Sequence, residues 1–228
     1  MGQLDEFFHT LVPSSFPHED DLTRRVPVPV FMQNESHCIA IHSARGDSKL
    51  VSSVEENKKD LRQRKYEQLT GVGLILDSDD DSDPITRYTK VRDKLRGLGF
   101  DFPDDPGVVS GDTPRLGAFV LPDNANQGNL EDLLIECADQ AFPNLLASAK
   151  THVDTAKADT SFTDAKREDL NKNSKYKKAV VGSIATTLRP GRSIQVSVQD
   201  NIWLRGDNLE LPKIKAIQEF LKQLFELT

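Results

Sequence analysis

The sequence has little cysteine and no long apolar run, and each absence excludes a class of protein. Cys38 and Cys137 lie far apart, so they form neither a zinc-ligand pair nor a disulfide framework, and we expect buried, reduced thiols. No apolar stretch approaches the roughly 20 residues that cross a bilayer. The N-terminus lacks the basic residues and apolar core of a signal peptide. We therefore expect a cytoplasmic chain with no membrane partner.

The chain also lacks the motifs of several enzyme classes. It has no Gly-x-x-x-x-Gly-Lys-Ser/Thr loop, so it carries no P-loop ATPase of its own. Its five histidines show no spacing typical of zinc ligands. Its 29 lysines and arginines are outnumbered by 36 acidic residues, giving a net charge of −7. Nonspecific binding of phosphate by the surface as a whole is therefore not expected.

Charge is nevertheless distributed unevenly along the chain. Residues 77–83 contain five aspartates, whereas residues 164–192 contain eight basic side chains and three acidic ones. An acidic pocket beside a basic strip suits metal-dependent phosphate chemistry. Two ordinary solvated faces explain the same pattern, so charge alone leaves both interpretations open.

Hydrophobic patterning predicts strands that alternate with helices. Strands are predicted over residues 38–42, 71–76 and 118–121, with an extended segment over 26–32. Helices are predicted over residues 4–11, 48–68, 83–95, from 130 to a break at Pro143, 175–188 and 211–227. This order predicts an α/β fold with a mainly parallel sheet. We place an α/β core in residues 1–150 and a helical extension, packed on that core, in residues 151–228.

The apolar strand over residues 71–76 leads directly into Asp77-Ser78-Asp79. Because ligands of parallel α/β sheets lie beyond the carboxyl ends of the strands, we expect both carboxylates at that edge. Grouped carboxylates repel each other unless a cation neutralises them, and Mg²⁺ prefers oxygen ligands. The segment predicts a Mg²⁺ or Mn²⁺ site at Asp77 and Asp79. The alternative is a solvated acidic loop that ends in the helix cap Asp83.

A second acidic segment, Gly128-Asn129-Leu130-Glu131-Asp132, follows the strand over residues 118–121. We expect it at the same edge of the sheet, with Glu131 as a further metal ligand. The helix dipole offers an alternative, since acidic residues in the first turn of a helix are stabilised without any metal.

These segments resemble the small stand-alone Toprim-like proteins related to the OLD (overcoming lysogenisation defect) nucleases. The matching pieces are Ile75–Asp79 as the Asp-x-Asp motif, Gly128–Leu133 as the later acidic motif, Ser174–Gly191 as the C-terminal helix and turn, and Ile39–Leu50 as the second strand and its turn. The resemblance implies a Toprim-like Rossmannoid three-layer sandwich with a mainly parallel central sheet. It also implies a divalent-metal-dependent nuclease or phosphodiester hydrolase with nucleic acid as its partner.

The same resemblance gives Asp77, Asp79, Glu131 and Lys175 catalytic roles. The carboxylates would hold the metal ion, and a lysine would balance charge that develops on the phosphate. Lys178 could serve that purpose, but Lys175 is preferred because it matches the family's position. A solvated helix lysine is the alternative.

The start of the sequence departs from the Toprim pattern. Toprim domains begin with a strand that ends in Glu-Gly, and that glutamate is the expected acid/base. Here Met1 stands in its place, so we infer that the first strand and its glutamate are missing. Asp5 or Glu6 is an alternative source of that carboxylate. The alternative function is a catalytically degenerate Toprim-like binding or regulatory protein. By analogy alone, a separate ATPase would be its partner in phage defence, and a homodimer is left open.

Overall fold

The computed structural model describes Phe8 and residues 11–12, 29–44, 47–78, 83–200 and 203–227. Over these residues, strands and helices follow one another in the order β1 (Val30–Gln33), β2 (Cys38–Ile41), α1 (Asp47–Tyr66), β3 (Gly71–Asp77), α2 (Pro84–Gly97), β4 (Arg115–Leu121), α3 (Leu130–Ala141), α4 (Pro143–Ala158), α5 (Asp164–Asn171), α6 (Asn173–Leu188), α7 (Ile194–Gln199), a short 3-10 helix (Gly206–Glu210) and α8 (Pro212–Phe225). The prediction of a mixed α/β chain is confirmed. The helix predicted over residues 4–11 lies mostly outside the described residues.

The described strands form two separate pairs. β3 and β4 are parallel, with Gly71 opposite Arg115 and Asp77 opposite Leu121. β1 and β2 form an antiparallel pair. The carboxyl ends of β3 and β4 therefore meet at one edge, as predicted for the acidic segments. The larger, mainly parallel sheet of a Rossmannoid sandwich is not formed by the described strands and stays a prediction.

The two parallel strands differ in how completely they are covered. β4 is buried along almost its whole length, with α2 packed near Val120 and α8 near Phe119. In β3 the side chains of Leu74 and Leu76 are buried, but Ile75 is 50% exposed. β3 is therefore less completely covered than β4, although its sequence is nearly all apolar. α8 packs against the beginning of β3, where Gly71 and Gly73 leave room for Leu224.

Local capping signals fix the helix boundaries at the sheet. Asp83 is the N-cap of α2, and its carboxylate accepts a hydrogen bond from the Thr86 N–H at 3.0 Å, while Pro84 occupies the first turn. Proline also starts α4 at Pro143, which ends α3 at Ala141 as predicted. The short helix α5 was not predicted, because its sequence is too polar to show a hydrophobic stripe.

A second apolar core lies among the helices that follow the sheet. It joins α3, α4 and α6 around Trp203, which is fully buried and donates its indole N–H to the Ser197 hydroxyl at 2.9 Å. The boundary predicted at residue 150 falls inside α4, and α8 packs back against both β3 and β4. The division into two regions stays a prediction. Across the described part of the chain, no helix has the length and apolar character needed to traverse a membrane.

Candidate functional site

The end of β3 lies against the beginning of α3. Asp77 is the last residue of β3, and its Oδ1 accepts a hydrogen bond from the N–H of Leu130, the first residue of α3, at 3.0 Å. The first N–H groups of a helix have no acceptor within the helix, so a carboxylate is stabilised there. This contact brings the first acidic segment beside the turn that carries Glu131.

Ser78 joins the same two segments below the surface. Its side chain is fully buried, donates a hydrogen bond to the Gly128 carbonyl at 3.0 Å and accepts one from the Gly128 N–H at 2.7 Å. No role for Ser78 was predicted from the sequence. The available signal was its position, since a small hydroxyl that follows a buried strand can satisfy backbone groups where an aspartate would lose its solvation.

Gly128 itself has no room for a side chain. A Cβ at this position would lie 2.6 Å from Asp132 Oδ2 and 3.1 Å from Pro122 Cδ, and the residue has a φ of 154°. The backbone of Gly128 can therefore approach Ser78 and Asp132 closely only because it is glycine.

Glu131 is half-buried, and burial raises the pKa of its carboxyl group. Its own backbone N–H and the positive charge of Lys178 act in the opposite direction, while Asp77 and Asp132 add to the increase. Glu131 and Asp77 are therefore near enough to repel each other electrostatically. A cation between them would relieve both the repulsion and the cost of burial.

Asp132 serves the structure of the site. Its Oδ2 accepts a hydrogen bond from the Asn129 N–H at 2.9 Å, which closes the first turn of α3. The same carboxylate forms an ion pair with Lys177 of α6, with Nζ 2.9 Å from Oδ1 and 3.0 Å from Oδ2. Asp132 and Lys177 thereby fix α6 against the acidic edge.

Lys175, the lysine assigned from the family resemblance, is exposed on α6. The ion pair with Lys172 lowers the pKa of Asp169 in α5, and Lys175 contributes further to that decrease. The positive charge of Lys175 therefore acts on Asp169 of α5. The lysine whose charge acts on Glu131 is Lys178. A catalytic role for Lys175 stays a prediction.

The predicted metal site would have only part of its ligand set among the described residues. Asp77 and Glu131 supply oxygen donors that suit a hard cation, which commonly keeps several waters. Asp79 lies outside the described residues, as do residues 80–82. The part of the chain that the structure describes contains no group of three or more histidine, cysteine or acidic side chains able to hold a metal. Metal binding at Asp77, Asp79 and Glu131 stays a prediction.

The fold and this edge define a mixed α/β protein whose two parallel strands end at converging acidic segments. The chain belongs to the family described as Protein of unknown function (DUF3226), whose model matches residues 20–226. No curated protein matches the chain, and no solved structure matches it.

Proposed function

We propose that the chain is a Toprim-like, divalent-metal-dependent nuclease or phosphodiester hydrolase of the cytoplasm. The observation that supports this best is the 3.0 Å hydrogen bond from the Leu130 N–H to Asp77, because it brings the Asp77 carboxylate beside the helix turn of Glu131. Two acidic residues from separate strand ends then share one edge of a parallel pair, where α/β sheets bind ligands.

The carboxylates of Asp77 and Glu131, together with Asp79, would hold Mg²⁺ or Mn²⁺ at this edge. A bound ion of this kind supplies Lewis acidity to a phosphate oxygen and lowers the pKa of a water. The protein's own contribution is positional: Ser78 and Gly128 hold the two acidic segments together, and the pair of Asp132 and Lys177 anchors α6 beside them.

The positive charge next to the acidic edge supports a phosphate-containing substrate. Lys178 acts electrostatically on Glu131, and α6 also presents Lys175 to solvent. Such lysines would balance the charge that a phosphodiester gains during hydrolysis. Nucleic acid is therefore the substrate class that we propose. In the same proposal, the helices on both sides of β3 and β4 belong to a Rossmannoid three-layer sandwich.

The test is cleavage of labelled single- and double-stranded DNA and RNA in the presence of Mg²⁺ or Mn²⁺. Asp77→Asn and Glu131→Gln should each lower the cleavage rate by at least about 100-fold, since each removes a metal-facing charge. Asp139→Asn is the matched control, because Asp139 is an exposed acid on the same helix as Glu131. If the parent chain does not cleave, or Asp77→Asn cleaves equally well, the enzymatic proposal is wrong.

A second function, a catalytically degenerate binding or regulatory protein, has its own support. The Asp77 carboxylate accepts from the Leu130 N–H, and Asp132 pairs with Lys177, so these acids stabilise the fold without any metal. A separate ATPase would be the partner in that case. Tight binding of a nucleic acid that is never cleaved, with any of these metals, would favour this alternative.

A further inference from the structure

A groove of about 1200 Å³ separates β2 from β3. All four residues of β2 and all seven of β3 line it. The residues of α1 that line it include Leu50, Val54 and Leu61, and those of α8 include Phe220 and Leu224. The groove is thus bounded by two strands and by two helices with apolar side chains.

The two helices lie on opposite faces of β3. Leu74 packs in the apolar cluster that contains Val54 of α1, whereas the neighbouring Gly73 faces Leu224 of α8. Successive residues of a strand point to opposite faces, so the groove continues the plane of the sheet between two helical layers.

β3 uses only one of its two edges for pairing with a described strand. It pairs with β4 from Gly71 to Asp77, and no described strand pairs with its other edge. Buried backbone N–H and C=O groups require partners, and an open strand edge is a template for another strand. An apolar small molecule could fill the volume of the groove but could not pair with that edge.

The volume of the groove is close to that of one strand as long as β3. A strand of seven residues is about 23 Å long, takes up about 4.8 Å between neighbouring strands and spans about 10 Å between packed layers. The product is roughly 1100 Å³, close to the 1200 Å³ of the groove.

We propose that the groove between β2 and β3 takes up one extended, apolar segment of a partner polypeptide, which pairs with β3 as an added strand. The segment lies between helices, so its side chains are apolar on both faces, as in a buried parallel strand. The described strands of a second copy suit the groove less well, because each already pairs along one edge, whereas a strand that lies between β2 and β3 has both of its edges in the groove. The proposal does not depend on nuclease activity.

The experiment uses the full 228-residue chain and a lysine-flanked probe peptide whose core is valine and leucine and as long as β3. The matched control peptide has the same side chains but is N-methylated at every second amide, which removes backbone donors and keeps the apolar surface. The probe should bind saturably and slow hydrogen exchange of the Gly73 and Ile75 amides, which point away from β4, and the control should bind at least about tenfold more weakly.

Equal binding of both peptides would overturn the proposal, since it would show apolar adsorption without strand pairing. Binding of decanoate but not of the probe would assign the groove to a lipid. Protection of the same amides in the isolated monomer would show that the chain fills its own groove, and protection only in a dimer would assign it to a second copy.

Two variants locate the binding. Ile75→Arg introduces a charge at a lining residue that is 50% exposed, and Ile85→Arg introduces the same charge on α2 outside the lining, at a residue that is 53% exposed. Ile75→Arg should weaken probe binding at least about tenfold, whereas Ile85→Arg should leave it unchanged. Undiminished binding by a folded Ile75→Arg protein would contradict the assignment.

Discussion

Ser78 and Gly128 are separated by 50 residues in the chain and are joined by two hydrogen bonds, one from the serine hydroxyl to the glycine carbonyl and one from the glycine N–H to the hydroxyl oxygen. This pair connects the end of β3 to the loop before α3. The positions of Asp77 and Glu131 relative to each other depend on it.

Replacing Ser78 with alanine should destabilise the protein by about 1–3 kcal/mol, because it leaves buried backbone groups of Gly128 without partners. The measurement is the free energy of unfolding in urea. Ser52→Ala is the control, since its exposed hydroxyl bonds only to the Lys49 carbonyl within α1, and its effect should stay within about 0.5 kcal/mol. Equal effects of the two substitutions would show that the connection contributes nothing to stability.

Gly128→Ala should also destabilise the protein, by about 1–3 kcal/mol, because the new Cβ would lie 2.6 Å from Asp132 Oδ2. Gly111→Ala offers a comparison at an exposed glycine with no atom within 4 Å of the added Cβ. Thermal unfolding of the two variants measures the difference. A Gly128→Ala protein as stable as Gly111→Ala would mean that the loop adjusts without cost.

Lys177→Met should lower the free energy of unfolding by about 1–2 kcal/mol, a value between those for exposed and for fully buried ion pairs. The reason is that the side chains of Lys177 and Asp132 are 14% and 27% exposed. A double-mutant cycle with Asp132→Asn isolates the coupling between them. Lys172→Met is the control, since Lys172 and its partner Asp169 are 64% and 57% exposed. A coupling energy near zero for Lys177 and Asp132 would contradict an anchoring role.

Glu131 makes stability depend on pH in a direction that follows from its raised pKa. The folded state binds the proton of Glu131 more tightly than the unfolded chain does, so ionisation at higher pH costs stability and protonation at lower pH removes that cost. Glu131→Gln should therefore stabilise the protein at pH 7 and have a smaller effect at pH 4. Denaturant titrations at the two pH values test this, with Asp139→Asn as control. A Glu131→Gln protein that is less stable than the parent at pH 7 would contradict the assignment of burial as the main cause.

Local signals in the sequence were sufficient to predict where most of the helices and strands begin or end. Asp83 and Pro84 predicted the start of α2, and Pro143 predicted the break between α3 and α4, because caps and proline act within one turn of the chain. The meeting of the two acidic segments at one edge followed from a general rule for parallel sheets.

Features that depend on distant packing could not be predicted in this way. The open face at Ile75 depends on where α8 crosses β3, and the sequence of β3 alone does not determine that. Lys175, Lys177 and Lys178 lie within one turn of α6, but successive residues are rotated by about 100° around a helix. Which of these lysines contacts the acidic edge therefore depends on the docking of α6 against α3.

A divalent-metal site at Asp77 and Glu131 is tested most directly by the affinity of the full chain for Mn²⁺, measured by the loss of the free-ion signal in electron paramagnetic resonance. We expect saturable binding that Asp77→Asn and Glu131→Gln each weaken at least about tenfold and that Asp139→Asn leaves unchanged. Absence of saturable binding, or equal affinity of all four proteins, would contradict a divalent-metal site between Asp77 and Glu131.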